Sequence, residues 1–251
     1  MIDDPADLRL DDYRRLNDPA SRIAYEKKHG VFVVEGALAI GRLLESSYEV
    51  RSVLLTPAMA DRLRIADALV ADRHVIERVC GFDVHRGALA VATRPPSADP
   101  RAMLRDAGVV VALERLNDHE NVGIVFRVAR ALGADAVLLD AETCDPLYRR
   151  AVRVSLGHVL HVPFARAADP VGLLRDNGFV TYALTPAGDV RIEEVVGAEK
   201  VALLLGAEGP GLKPETIARV DHRVRIPMRD GVDSLNVATA AAIALQRLVR
   251  L

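Results

Sequence analysis

Tryptophan is absent from this chain, and five phenylalanines and five tyrosines leave aromatics at 4% of 251 residues. An aromatic platform on which unpaired bases could stack is thinly supplied. There are two cysteines, Cys80 and Cys144. They are too few for a disulfide framework, and their spacing matches no zinc pattern, so no metal is implied and a reducing compartment is expected. Neither sign of charge dominates: 33 Lys and Arg against 35 Asp and Glu give a formal net charge of −2. That excludes a wholly basic nucleic-acid-coating protein and leaves a local basic patch open. Long apolar runs are missing too. Stretches such as "VATAAAIAL" fall far short of the roughly 20 residues that span a bilayer, and the acidic "MIDDPADLRLDD" lacks the apolar segment of a signal peptide. A cytoplasmic protein without a membrane partner is expected. No internal repeat or low-complexity tract is evident.

Half of the residues are apolar, enough to bury the core of one large domain or two modest ones. The stretch "TRPPSADPRAMLRDAG" (Thr93 to Gly108) reads as an extended linker, which puts domain boundaries at 1–94, 95–108 and 109–251. Before the linker, "VFVVEGALAIGRLLES" and "VRSVLLTPAMADRLRIADALV" each read as strand then helix, and "HVIERVC" and "GALAVATR" read as short strands. After it the alternation is regular. Strands are expected at "GVVVALERL", "ADAVLLD", "FVTYALT" and "KVALLLG", and an extended segment at "HVPFAR". Helices are expected at "ENVGIVFRVARALG" (closed by Gly133), "DPLYRRAVRVSLGHV", "DPVGLLRDNG" and "KPETIARVD". The fold class is α/β, with a parallel sheet in the C-terminal domain. Ligands of such sheets bind beyond the carboxyl ends of strands, which points to the loops after Leu113, Leu205 and Met228.

The first of these loops runs through Asn117, Asp118 and Asn121 into a helix. Asn121 can be a helix cap there, and Arg127 and Arg130 lie three apart on one face. The second, Gly206-Ala207-Glu208-Gly209-Pro210-Gly211, permits positive φ and close backbone approach. Its glycine spacing is neither that of a dinucleotide fold nor that of a phosphate-binding P-loop, and alone it is compatible with a tight structural turn. The third follows a strand end at Val224–Met228, turns on Arg229-Asp230-Gly231, and enters an Ala-rich helix from Val237 to Val249. Ser234 and Asn236 stand at that junction, where either can cap the helix.

Together, "NDHENVGIVFRVARALGADAVLL", "LLLGAEGPGL" and "IPMRDGVDSLNVATAAAIAL" resemble the three motifs of the SpoU/TrmH family of knotted RNA ribose 2′-O-methyltransferases, in order, spacing and context. "PLYRRAVRVSLGHVLHVPF" resembles the segment between the first two motifs. "FVVEGALAIGRLL" and "GFDVHRGALAVA" look like the L30e-like substrate-binding domain found ahead of the catalytic domain. The resemblance implies S-adenosylmethionine as methyl donor, RNA as substrate, a deep C-terminal trefoil knot, and a homodimer with each active site near the subunit interface; the two-domain layout favours ribosomal RNA over transfer RNA. The resemblance also implies catalytic roles for Asn121, Arg127, Glu208, Ser234 and Asn236. Cofactor contacts are implied around Gly206, Ala207, Gly209, Gly211, Ile226, Met228 and Leu235.

Methyl transfer to a ribose oxygen needs alignment and stabilisation of charge on that oxygen. A guanidinium keeps its proton in proteins, so Arg127 is expected to clamp phosphate and stabilise an alkoxide, with Glu208 bracing the loops. Arg149, Arg150 and Arg153, with Arg22, Lys27 and Lys28, are candidates for a basic RNA-facing surface, against a reading as solvated charge. His119, His158 and His161 receive no role. The competing readings are a non-catalytic RNA-binding protein of the same fold, a knotted methyltransferase acting on a base nitrogen, and a dinucleotide-dependent oxidoreductase.

Overall fold

The structure is a computed structural model and describes residues 1–84 and 87–249. His85 and Arg86, within the stretch likened to an L30e domain, and Arg250 and Leu251, at the end of the expected catalytic domain, lie outside the described residues. The chain divides into two compact units, one of residues Met1–Pro96 and Leu147–Leu160, the other of Ser97–Pro146 and His161–Leu251.

The first unit begins with a 3-10 turn, Leu8–Tyr13, followed by α1 (Pro19–His29), β1 (Val31–Glu35), α2 (Ala37–Leu44), β2 (Val50–Leu55), α3 (Pro57–Leu63), β3 (Leu69–Val70), α4 (Arg73–Cys80) and β4 (Ala88–Thr93). Helix α1 starts where its sequence says it should. Asp18 accepts from Ser21 N–H at 3.2 Å, Pro19 occupies the first turn, and Gly30 closes the helix at φ 61°. The strands form a mixed sheet in the order β1-β4-β2-β3, with β4 antiparallel to both neighbours. Leu10, Tyr13, Val31, Val33, Leu54, Val75, Ile76 and Leu89 share one buried core.

Two expectations fail in this unit. "HVIERVC" is α4 and not a strand. Its β-branched residues mislead, but Val75, Ile76, Val79 and Cys80 are the buried ones, a helical spacing, and Gly81 ends the helix at φ 82°. Arg22 is buried, not part of an open basic surface: it pairs with Glu26 at 2.8 Å and donates to Asp12 O at 2.6 Å. The inserted piece holds α7 (Arg149–Val154), in which Arg149 and Arg153 are tied down and Arg150 is exposed. Arg149 Nη1 meets Glu35 Oε2 at 2.6 Å and Arg153 Nη1 meets Oε1 at 3.4 Å, while Glu35 itself is buried. Arg149 also lies over the Phe82 ring at 4.5 Å.

The second unit contains α5 (Pro100–Leu104), β5 (Val109–Glu114), α6 (His119–Ala131), β6 (Ala136–Leu139), β7 (Phe164–Arg166), α8 (Pro170–Asp176), β8 (Val180–Leu184), β9 (Val190–Arg191), β10 (Val201–Gly206), α9 (Pro214–Ile217), β11 (His222–Arg225) and α10 (Val237–Leu248). The stretch expected as an extended linker includes α5, capped by Asp99 and anchored by fully buried Leu104. Among the described residues the sheet has seven strands, all parallel, in the order β7-β6-β5-β10-β8-β11-β9. The inner strands read as unbroken apolar runs because they are buried along their length, as in Val201 to Leu205. Parallel pairing sends every carboxyl end to one edge of the sheet. Strand β11 stops at Arg225, short of the expected Met228; Pro227 has no N–H to continue the ladder.

Candidate active site

A cavity of about 430 Å³ opens at that carboxyl edge. Three loops wall it: the one after β8 (Leu184, Thr185, Pro186), the one after β10 (Gly206 to Gly211), and the one from Ile226 to Asn236 that leads into α10. Gly206, Ala207, Gly209, Gly211, Ile226, Met228 and Leu235 all line it, as do Glu208, Ser234 and Asn236.

The loop after β10 is built around its glycines. Gly209 and Gly211 adopt φ 83° and 69°, a region that favours glycine. Gly211 N–H donates to Ala207 O at 2.9 Å, folding the loop back on itself. A Cβ on Gly206 would run into the peptide joining Gly211 to Leu212, deep inside van der Waals contact.

Asn236 joins the loops. Its Oδ1 accepts from Ala238 N–H at 3.0 Å and Thr239 N–H at 3.4 Å, which makes it the N-cap of α10. Because backbone donors claim the oxygen, the amide nitrogen must face the other way. That nitrogen donates to Asn121 Oδ1 at 2.8 Å and to Glu208 Oε1 at 3.1 Å. Asn121 is not the cap of α6; Asp118 is, accepting from Glu120 N–H at 2.8 Å. Asn121 sits one turn in, buried, and donates to Asp118 Oδ2 at 3.4 Å. One polar chain, Asp118–Asn121–Asn236–Glu208, thus links the loop after β5 to two of the three loops that wall the cavity.

The other expected residues fare differently. Ser234 lines the cavity but caps nothing, and among the described residues its hydroxyl has no hydrogen-bond partner. Arg127 lies outside the cavity wall, exposed, with no hydrogen bond or ion pair among the described residues. It follows Asn121 by six positions on α6, which places it about 9 Å further along the axis and about a third of a turn around it. His119 and His161 do not line the cavity either. Sequence reasoning overlooked the wall contributed by Leu184, Thr185 and Pro186. The Thr-Pro step that breaks an apolar strand there was the available signal. It also overlooked Val237 and Ala240, whose small or compact side chains let the first turn of α10 border the cavity.

Residues 108–246 match the model of the SpoU rRNA Methylase family. An uncharacterized tRNA/rRNA methyltransferase of Mycobacterium tuberculosis is 44% identical, over 98% of this chain and 90% of its own length. The 23S rRNA (guanosine(2553)-2′-O)-methyltransferase RlmP of Bacillus subtilis is 26% identical over 99% of this chain and 98% of its own. Among solved structures, an AdoMet-bound rRNA methyltransferase from Sinorhizobium meliloti superposes with a TM-score of 0.83 at 26% identity, covering 98% of this chain and 95% of that one. With the family model spanning more than half of its length and a near relative matched almost end to end, this chain belongs to the SpoU rRNA methylase family.

Proposed function

We propose that the cavity binds S-adenosylmethionine and that the protein transfers a methyl group from it to a ribose 2′-hydroxyl of RNA, ribosomal RNA in the first instance. The observation that carries this reading is the Asn121–Asn236–Glu208 joint beside a cavity at the carboxyl edge of a parallel sheet. The residues fit the cofactor. The volume lies in the range of small-molecule sites, and the walls set apolar Leu184, Leu205, Ile226, Met228 and Leu235 beside polar Thr185, Glu208, Ser234 and Asn236 and the glycine backbone. Relatives named as 2′-O- and AdoMet-bound enzymes support the same choice.

When bound, S-adenosylmethionine supplies an electrophilic methyl carried by a sulfonium. The chain does the rest. Backbone around Gly206, Ala207, Gly209, Gly211, Ile226, Met228 and Leu235 holds the cofactor. The hydroxyl of Ser234, a residue of the cavity lining, orients the ribose-phosphate together with Asn236. Glu208 braces the loops. The guanidinium of Arg127 clamps a phosphate and stabilises charge growing on the 2′-oxygen.

Among the described residues Arg127 has no hydrogen-bond or ion-pair partner, and apolar Ile124 and Ile243 stand exposed on the packed helices α6 and α10. Both features support a homodimer in which Arg127 serves its partner's site across an isologous contact. Strands β10 and β11 flank β8 out of chain order, which supports the trefoil knot. The N-terminal part, read as an L30e-like domain over 1–94, is assigned to RNA recognition, with Lys27 and Lys28 exposed at the end of α1. A cytoplasmic setting follows from the substrate; among the described residues no helix is long and apolar enough to cross a membrane.

The test is transfer of tritiated methyl from S-adenosylmethionine to ribosomal and transfer RNA, with the product mapped to ribose or base. Ribose methylation of ribosomal RNA is expected. Methylation of transfer RNA alone would move the substrate, a base product would replace the chemistry, and RNA binding without transfer would leave a non-catalytic protein.

A further inference from the structure

Arg115 stands where the chain leaves β5, with its backbone in the left-handed region at φ 56°. Side chains are disfavoured there and glycine is at home. The arginine nonetheless turns inward. Its Nη2 donates to Gly211 O at 3.1 Å, and its Nε is buried without a partner among the described residues. Its own N–H donates to Asp140 Oδ2 at 3.1 Å, which holds the turn. The preceding residue grips the same stretch of chain. Glu114 accepts from Lys213 N–H at 2.5 Å through Oε1 and from the Thr216 hydroxyl through Oε2. Neither Glu114 nor Arg115 lines the cavity.

The peptide that Arg115 holds belongs to the cavity wall. The Gly211–Leu212 peptide is packed directly on Gly206, and Gly211 N–H closes the loop onto Ala207. A loop with three glycines has much backbone freedom to lose on binding a ligand. Glycine at position 115 would satisfy the local backbone with less strain, so the local turn does not account for an arginine. The contact with the loop does.

We propose that Arg115 is a positioning residue that pre-forms the glycine loop for S-adenosylmethionine, acting from behind the wall. This rests on the reading of the cavity as the cofactor site. If the loop without Arg115 is competent a tenth of the time, apparent affinity falls about tenfold.

The experiment compares Arg115→Gly and Arg115→Lys with the unaltered protein. It measures S-adenosylmethionine binding by calorimetry without RNA, melting temperature with and without the cofactor, and the split between KM and kcat. Arg115→Gly relieves the backbone and is expected to melt at or near the unaltered temperature. It should bind cofactor about tenfold more weakly and raise the cofactor KM, with kcat at saturation falling far less. Arg115→Lys, which keeps charge and strain but has no fork, should lie between the two. If Arg115→Gly does not fold, Arg115→Lys decides alone: weaker cofactor binding at an unaltered melting temperature supports the proposal. Equal affinity in a folded variant overturns it. An unaltered protein that binds no S-adenosylmethionine overturns the cavity reading instead, and the two failures are told apart by that control.

Discussion

Replacing Asn236 with alanine removes two things at once. The cap on α10 is lost, which costs about 1 kcal/mol. The buried Asn121 Oδ1 also loses its donor, and an unpaired buried acceptor costs about 1–3 kcal/mol more. A loss of about 2–4 kcal/mol in a chain of this size lowers the melting temperature by roughly 5–10 °C. Turnover should fall further than stability explains, by about a hundredfold, if the amide also orients the reacting ribose. Asn236→Asp separates the two roles. Aspartate caps as well as asparagine does, but it offers Asn121 no donor and sets a carboxylate against Glu208. It should retain more stability than Asn236→Ala and lose as much turnover. Calorimetric melting, alongside single-turnover methyl transfer per folded molecule well below the melting temperature, reads both effects. If Asn236→Ala lowered the melting temperature alone and kept full turnover, the residue would be a helix cap and nothing more.

Arg127→Ala should leave stability within about 0.5 kcal/mol, since the side chain is exposed and has no partner among the described residues, while turnover drops about a hundredfold or more and calorimetric S-adenosylmethionine affinity holds; Arg127→Lys should recover little of it. Gly206→Ala drives a methyl into the Gly211–Leu212 peptide and should abolish cofactor binding and destabilise by about 2 kcal/mol or more, read by calorimetry and melting. Glu35→Gln leaves Arg149 and Arg153 facing a neutral amide; because both arginines are partly exposed, the expected loss is about 1–3 kcal/mol in a denaturant titration. Burial pushes the thiols of Cys80 and Cys144 up to about 12, so a thiol reagent at pH 8 should react slowly until the protein is unfolded. The unfolded chain gives up these protons first, so their contribution to stability is full below the ordinary thiol value of 9 and is lost as pH rises from there toward 12.

The alternation of the C-terminal half was legible because buried parallel strands are written as apolar runs, "VVVALE" and "VALLLG" among them, and because α6 and α10 carry their own end signals. Gly133 does follow α6 at φ 78°, and Asn236 does cap α10. Strand order was not legible. Nothing local tells β10 to insert between β5 and β8, since that pairing is decided by packing across the whole sheet. Arg22 read as part of a basic surface or as solvated charge; only the tertiary fold, which sets it against Glu26 and the Asp12 carbonyl, buries it. The residues at the site came from a family resemblance spread over three distant stretches. Arg115 escaped notice because its role depends on a left-handed turn and on a carbonyl 96 positions away.

The excursion of residues 147–160 has a practical consequence for anyone dividing this protein into pieces. A fragment starting at Ser97 would carry α7 without the strand that shields it, leaving Ala151, Val152 and Val159 in water and two arginines without their carboxylate. A fragment ending at Pro96 would keep an uncompensated Glu35 on β1. Neither half is self-contained, and expression trials built on a single cut near the prolines should yield aggregating products, whereas a clean dissection must graft 147–160 onto the first piece and bridge the gap it leaves in the second.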